Sequence, residues 1–221
     1  MEIINILGIN VNIFTKKQVL AKIQEFLTDG KQHQIVTPNP EIILAASHDE
    51  ELFYILNKAD MAAPDGVALK FAAWLLAVNL SRITGADLVK DILKLAEEQG
   101  RRVAVFNWHD GLSKAEEIKL ALAKKFPGLK AQVEDVNREP PYDFVKALQF
   151  SPEIIFLNLG APFQEKFIFN SLVKLPSVKI GLGVGGAFDF LTGRVKRAPK
   201  IFRLIGLEWL WRLIKQPSRW R

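Results

Sequence analysis

The chain has 221 residues, with 30 Lys or Arg against 24 Asp or Glu, no cysteine, and a hydrophobic content of 49%. That composition suits one large globular domain, or one domain with an appendage, and it excludes a disulfide framework and any Cys-ligated zinc or iron–sulfur site. The charge is lopsided: residues 194–221 hold nine basic residues and one acid, net +8, whereas the preceding 193 hold 21 basic and 23 acidic residues, net −2.

In chain order, Ile3 to Ile13 reads as one or two short strands around Gly8. Thr15 is a plausible N-cap for an amphipathic helix ending near Leu27, stopped by Asp29-Gly30. Gln34 to Thr37 is a short buried strand, and Pro38 and Pro40 force a turn before helices over about 41–58. After the loop Ala63-Pro64-Asp65-Gly66 comes an apolar helix to about Val78, and Gly85 to Glu98 has helical periodicity. Arg101 to Phe106 is a strand, and Ser113-x-x-Glu116 has the spacing of a capping box opening a helix to Phe126. A weaker strand near Gln132 to Val136 precedes a helix after Pro140-Pro141. Ile154 to Leu159 and Val178 to Leu182 are further buried strands, separated by a helix over about 162–175.

Short apolar strands alternating with helices imply βαβ units, so the fold class is α/β with a mostly parallel sheet covered on both faces. In such sheets ligands bind beyond the carboxyl ends of the strands. Four segments occupy such places: Thr37-Pro-Asn39-Pro, Asn107 to Gly111, Gly160 to Glu165, and Gly183-Val-Gly185-Gly186. Gly181 to Gly186 literally matches G-x-G-x-x-G, but no βα unit follows and no acid stands at a new strand end about 20 residues on. The segment suits another nucleotide, or a tight turn at the end of a core strand, better than NAD or FAD. Asp65 is either a helix N-cap or a general base aimed into the cleft. Thr37 and Asn39 alternate with prolines that stiffen their turn. Arg82 is a phosphate ligand or a surface cation, and Gln164-Glu165 is a ligand contact or an N-cap turn.

The three histidines, His33, His48 and His109, show no zinc spacing. There is no nucleophile elbow, no Walker loop and no D-x-D pair. A diphosphate here would have to be met by backbone amides and arginines. Residues 1–6 lack the pattern of a secretory leader, and the apolar runs are too short to span a bilayer.

Several motifs then stand in fixed order: Thr37-Pro-Asn-Pro-Glu41, Pro64-Asp-Gly66, Arg82-x-Thr-Gly-x-Asp87, Leu159-Gly-Ala-Pro-Phe-Gln164-Glu165, and Gly183-Val-Gly-Gly-Ala-Phe-Asp189 running on to Arg197-Ala-Pro199. Gly206-Leu-Glu-Trp209-Leu-Trp-Arg212 and Pro217-Ser-Arg219 complete the set. In these the chain resembles the WecG/TagA/CpsF glycosyltransferases of bacterial surface polysaccharide and wall teichoic acid synthesis. The resemblance implies a Rossmann-like enzyme without cofactor or metal dependence. It would invert the anomeric centre of a UDP-sugar, typically UDP-N-acetylmannosamine, and transfer the sugar to undecaprenyl-diphosphate-linked N-acetylglucosamine.

Carried over position by position, the resemblance implies Asp65 as general base, Thr37 beside it in catalysis, and Asn39, Arg82 and Gln164 as substrate contacts. Arg212 and Arg219 would close over the diphosphate, and Gly183, Gly185, Gly186 and Asp189 would flank the nucleotide. Phe106-Asn-Trp108-His109-Asp-Gly111 departs from the glycine-rich strand end usual in such proteins, which leaves the sugar's identity open.

Residues 1–193 are thus expected to form the catalytic domain. Residues 194–221 would form a basic amphipathic appendage that associates with an anionic membrane surface and completes the active site. Three of the five tryptophans, Trp209, Trp211 and Trp220, stand among its cations, as interfacial segments require. Helical projection puts Phe202, Trp209 and Leu213 opposite Lys200, Glu208 and Lys215. The expected location is the inner face of the bacterial plasma membrane, with homo-oligomers off the membrane as an open option. The competing reading is a nucleotide- or polyanion-binding module whose tail grips nucleic acid. Mixing of the cations with Trp and Leu favours the membrane over nucleic acid.

Overall fold

A computed structural model of the chain describes residues 2–81 and 83–199, with Phe202 and Trp211. The chain opens with an antiparallel hairpin of β1 (Ile3–Ile6) and β2 (Ile9–Asn12), turned through Leu7 and Gly8, both at positive φ. Helix α1 (Lys16–Phe26) starts from Thr15, whose hydroxyl accepts from the Gln18 N–H while Gln18 reaches back to the Thr15 N–H. That reciprocal pairing satisfies two donors that a helix start otherwise leaves open.

Then come β3 (His33–Val36), α2 (Pro40–Ala46), α3 (Glu50–Lys58) and a two-residue strand, β4 (Met61–Ala62). Helices α4 (Val67–Leu75) and α5 (Gly85–Glu98) lead to β5 (Arg102–Trp108). Helix α6 (Ala115–Lys125), β6 (Lys130–Val136), α7 (Val145–Phe150) and β7 (Ile154–Asn158) follow. Helix α8 (Phe163–Ser171), β8 (Ile180–Gly183) and α9 (Ala187–Thr192) complete the described elements.

Strands β3 to β8 form one six-stranded sheet in the order β4-β3-β8-β7-β5-β6, every pairing parallel. Side chains alternate across it as the two-residue repeat of a strand requires. Ile154 and Phe156 of β7 pack with α1, α5, α6 and α9 on one face, and Ile155 and Leu157 pack with α7 and α8 on the other. The hairpin covers the β3–β4 end of that second face together with α2, α3 and α4. The α/β class, the parallel sheet and the two helical layers expected from the sequence are all present.

Three local expectations need correction, and one short strand is additional to those expected. Strand β4 pairs with β3 at only two positions and leaves no alternation to read. Helix α4 ends at Leu75 rather than Val78, because Ala77 turns to φ +58°. Helix α6 starts one residue later than the Ser113 spacing implies, with the Lys114 N–H donating to Glu117. Ser113 is fully buried, and its hydroxyl donates to Asp189 Oδ1 at 2.7 Å instead of capping α6. The glycine-rich segment after β8 runs directly into α9 rather than ending in a bare turn.

Candidate active site

Because all six strands run the same way, their carboxyl ends open on one edge of the sheet, and β4, β3, β8 and β7 stand side by side there. The loops leaving those strands carry Asp65, Thr37, Gly183 and Gln164 respectively. Backbone hydrogen bonds lace the first of them together: the Asp65 N–H donates to Pro38 O at 2.9 Å, and the Ile83 N–H donates to Pro64 O at 3.0 Å. The proline rings fix φ at Pro38 and Pro64, which leaves the turns stiff.

Asp65 is half-buried, and its Oδ2 accepts from the Gly85 N–H, the first amide of α5, at 3.1 Å. It does not cap the helix that follows it. Gly66 occupies that position at φ +105° with no side-chain cap. An amide at a helix start favours the ionised carboxylate and fixes its direction. A methyl group built on Gly85 would lie 3.6 Å from Asp65 Oδ2 and 3.7 Å from Thr37 Oγ1, so carboxylate and hydroxyl face the same small space. Thr37 is buried, and its hydroxyl donates to Gly183 O at 3.3 Å, tying the ends of β3 and β8.

Gln164 is buried at the start of α8. Its Oε1 accepts from the Gly185 N–H at 2.8 Å and its Nε2 donates to Glu165 Oε1 at 2.7 Å. Gly183 must be glycine because a Cβ there would stand 2.7 Å from that Nε2. The Glu165 carboxyl is wholly enclosed, its Oε2 has no hydrogen-bond partner among the described residues, and burial pushes it up to about 7. The backbone carbonyl of Glu165 accepts from buried Gln34 at 2.9 Å. Nothing in Gly-Ala-Pro-Phe-Gln-Glu distinguishes Gln164 from its neighbour, and the burial of Glu165 is not visible from the sequence.

Asn39 is the N-cap of α2, its Oδ1 accepting from the Ile42 N–H at 2.9 Å. Asp189 is buried, and its Oδ1 accepts from both the hydroxyl and the N–H of Ser113, at 2.7 and 3.2 Å. Its Oδ2 would sit 2.9 Å from a Cβ on Gly186, which explains that glycine by the protein's own packing. Gly185 adopts φ +48°, with no atom within 4 Å of where a Cβ would be. Arg82, Arg212 and Arg219 lie outside the described residues. Among the described residues no three His, Asp or Glu side chains come together as a metal cluster.

A second group gathers beyond β5, β6 and β7. Asn107 donates to Ser113 O and Asp135 Oδ1 and accepts from Asn158 Nδ2 at 2.6 Å. The Arg138 guanidinium stacks over the Trp108 indole at 3.5 Å and donates to Leu159 O. The unusual Trp108 of the sequence is thus the platform of an arginine. His109 pairs with Asp110 at 3.0 Å on the surface.

The segment after α9 is tied back to the domain where it is described. Arg194 pairs with Glu117, and Arg197 forks onto both oxygens of Asp87 at 2.5 and 2.8 Å, also reaching Thr84. Burial alone would raise the Asp87 carboxyl; the Arg197 and Thr84 hydrogen bonds outweigh it and hold the group at about 2. Trp211 donates to Lys196 O at 3.3 Å and lies against Phe202.

The Thr-Pro-Asn, Pro-Asp-Gly and Pro-Phe-Gln-Glu motifs therefore stand on neighbouring strand ends, and the model of the glycosyl transferase WecG/TagA/CpsF family matches residues 4–221. The chain belongs to this family. Over 190 residues it is 34% identical to N-acetylglucosaminyldiphosphoundecaprenol N-acetyl-beta-D-mannosaminyltransferase of Bacillus subtilis (strain 168), covering 85% of this chain and 73% of that protein. The protein of the same name from Bacillus spizizenii is 35% identical over 202 residues, 89% of this chain and 76% of that one. That of Staphylococcus aureus (strain MRSA252) is 29% identical over 219 residues, 96% and 84% of the two chains. The WecG/TagA/CpsF membership makes the chain a glycosyltransferase and places its family motifs on the β4-β3-β8-β7 edge.

Proposed function

We propose that this chain is an inverting glycosyltransferase that moves N-acetylmannosamine from its UDP derivative to N-acetylglucosamine on undecaprenyl diphosphate; the names of its relatives give that sugar and that lipid-linked acceptor for them. The observation that carries the reading is the Asp65 carboxylate, held by the Gly85 amide and facing the same space as the Thr37 hydroxyl. Asp65 takes the proton of the acceptor hydroxyl as that oxygen bonds the anomeric carbon. The bond from this carbon to the UDP oxygen breaks, its electron pair staying on UDP. One base and one stabilised leaving group suffice for such a displacement.

Thr37 orients the acceptor, and the Nδ2 of Asn39 and the Gln164–Gly185 turn line the substrate. Gly183, Gly185, Gly186 and Asp189 flank the nucleotide. Arg82, Arg212 and Arg219 supply the positive charge that meets the diphosphate, in place of a metal or other cofactor. Residues 194–221 bring Arg212 and Arg219 over the donor and rest on an anionic membrane surface, which keeps the enzyme peripheral at the cytoplasmic face, with homo-oligomers off the membrane. Among the described residues no helix is long and apolar enough to cross a membrane.

The test is UDP release measured over a panel of UDP-sugars with a short-chain lipid diphosphate acceptor. UDP-N-acetylmannosamine is expected to be turned over fastest. Release from every donor without acceptor-dependent product would overturn the transfer. Removal of residues after Phe202 is expected to leave a folded body with little turnover, and full activity in that truncation would return the segment to a passive role.

A further inference from the structure

We infer that the outer face of α4 is a membrane-contact surface, seated in the headgroup region of a bilayer that carries anionic lipid and holding the mouth of the Asp65 site at the lipid surface. Leu69 and Ala73 are buried and fasten the helix to the core cluster under the hairpin. The opposite face carries Phe71, Trp74 and Leu75, which are 59, 67 and 64% exposed, and the C-cap residue Leu76 is 58% exposed. Residues at i, i+3 and i+4 share a helix face, so Phe71, Trp74 and Leu75 form one patch. The Phe71 and Trp74 rings stack at 5.6 Å. Scattered exposed apolar residues need no explanation, but a contiguous aromatic and aliphatic patch marks an interaction site.

Length and charge choose the occupant. Helix α4 has nine residues, far short of a span, so it can lie only in the plane of an interface. Trp beside Leu and Phe suits the headgroup level, where an amphipathic ring has one apolar and one wet edge. From Gly66 to Ala86 the sequence has no Asp or Glu and two cations, Lys70 and Arg82, which suits an anionic surface. The patch exposes on the order of 500 Å², short of the roughly 800 Å² per partner of a stable protein interface. Its position supplies the use. Gly66 is the N-cap of α4, so the helix begins beside Asp65, and a nine-residue helix is only about 13 Å long. A helix lying in that plane keeps Asp65 near the lipid surface, where a sugar on a membrane-held diphosphate would be presented. This purpose rests on the proposed lipid-linked acceptor; the membrane contact itself is read without turnover.

The chain has no cysteine, so Trp74→Cys provides a single attachment point for an environment-sensitive fluorophore in the full-length protein. Leu120→Cys on α6, 70% exposed, is the control. With vesicles of phosphatidylethanolamine and phosphatidylglycerol, the probe at position 74 is expected to shift to the blue and to be quenched by spin-labelled lipid. The probe at 120 should stay aqueous. A position-74 probe that stays aqueous while the protein sediments with vesicles overturns the inference. So does one already shielded before vesicles are added, which would mean that a second copy or another segment covers α4.

As an independent variant, Phe71→Ser with Leu75→Ser is expected to lower vesicle partition about tenfold. UDP release with a short-chain, water-soluble acceptor should be unchanged. Unaltered partition would also overturn the inference. Absence of acceptor-dependent UDP release in the unmodified protein would instead count against the transferase reading and leave the probe result standing.

Discussion

The two halves of the sheet's carboxyl edge use polar side chains in opposite ways. Beyond β4, β3, β8 and β7, each of three side chains bonds the backbone of a neighbouring segment. Asp65 holds the Gly85 amide, Gln164 the Gly185 amide, and Thr37 the Gly183 carbonyl. Beyond β5 and β6 the polar groups close on one another. Asn107 joins Asn158 to Asp135, whose carboxylate accepts from the Ala115 N–H, and Arg138 lies flat on Trp108. Strand topology marks both places as possible binding crevices. What separates them is the kind of partner: Asp65 and Thr37 each hold the backbone of a neighbouring strand end or helix start, whereas Asn107 is bonded to the side chains of Asn158 and Asp135.

The sharpest way to break this comparison is one substitution in each half. Asp65→Asn keeps the shape and removes the base, so UDP release is expected to fall about a thousandfold while UDP affinity, followed by calorimetry, stays within about twofold. A fall of less than tenfold would move the base elsewhere. Asn107→Ala should do the reverse. It strips partners from buried Asn158 and exposed Asp135 and is expected to cost about 2 kcal/mol in urea unfolding, with turnover per folded molecule nearly intact. A selective loss of turnover would show that the β5 side also handles substrate.

Glu165 sharpens the comparison because it lies behind the first half yet is wholly enclosed. Its carboxyl ordinarily titrates at 4.5, and burial raises it to about 7 in the folded protein. The native state therefore keeps a proton that the unfolded chain releases, and stability falls as pH rises from about 4.5 to 7, then levels. Glu165→Gln mimics the protonated side chain. Its advantage over the parent should grow across that window and reach up to about 3 kcal/mol at pH 8, read as urea midpoints at pH 4 and 8. A difference that does not change with pH would mean that Glu165 titrates in the folded protein as it does in the unfolded chain.

How much of this was legible follows the range of the interactions. Strands β7 and β8 are buried along their whole length and read as apolar runs between turn residues. The Thr15 cap is a three-residue affair and stood in the sequence as such. Ser113 misled because its spacing to Glu116 is local while its real partner, Asp189, lies 76 residues away. The glycines after β8 looked like room for a phosphate, yet Gly183 and Gly186 also make room for Gln164 and Asp189. Motif order gave Asp65, Thr37 and Gln164 as candidates, and only folding sets Thr37 and Asp65 against the same glycine.

The smallest expected effect tests how the segment after α9 is joined to the first half. Arg197 grips Asp87 and Thr84 in the first turn of α5, the same helix start whose Gly85 amide holds Asp65. Asp87 is 43% exposed, so solvent screens the pair and its contribution is about 1 kcal/mol at neutral pH. The folded carboxyl sits at about 2 against an ordinary 3.8. The contribution is therefore present above pH 4 and lost as pH falls through 2. Arg197→Gln should lower the urea midpoint at pH 7, less in 1 M salt, and not at all near pH 2. If Arg197 also steadies the carboxylate through α5, turnover should drop severalfold with UDP affinity unchanged. A loss of stability with unaltered kcat would confine Arg197 to tethering and leave Asp65 positioned by its own loop.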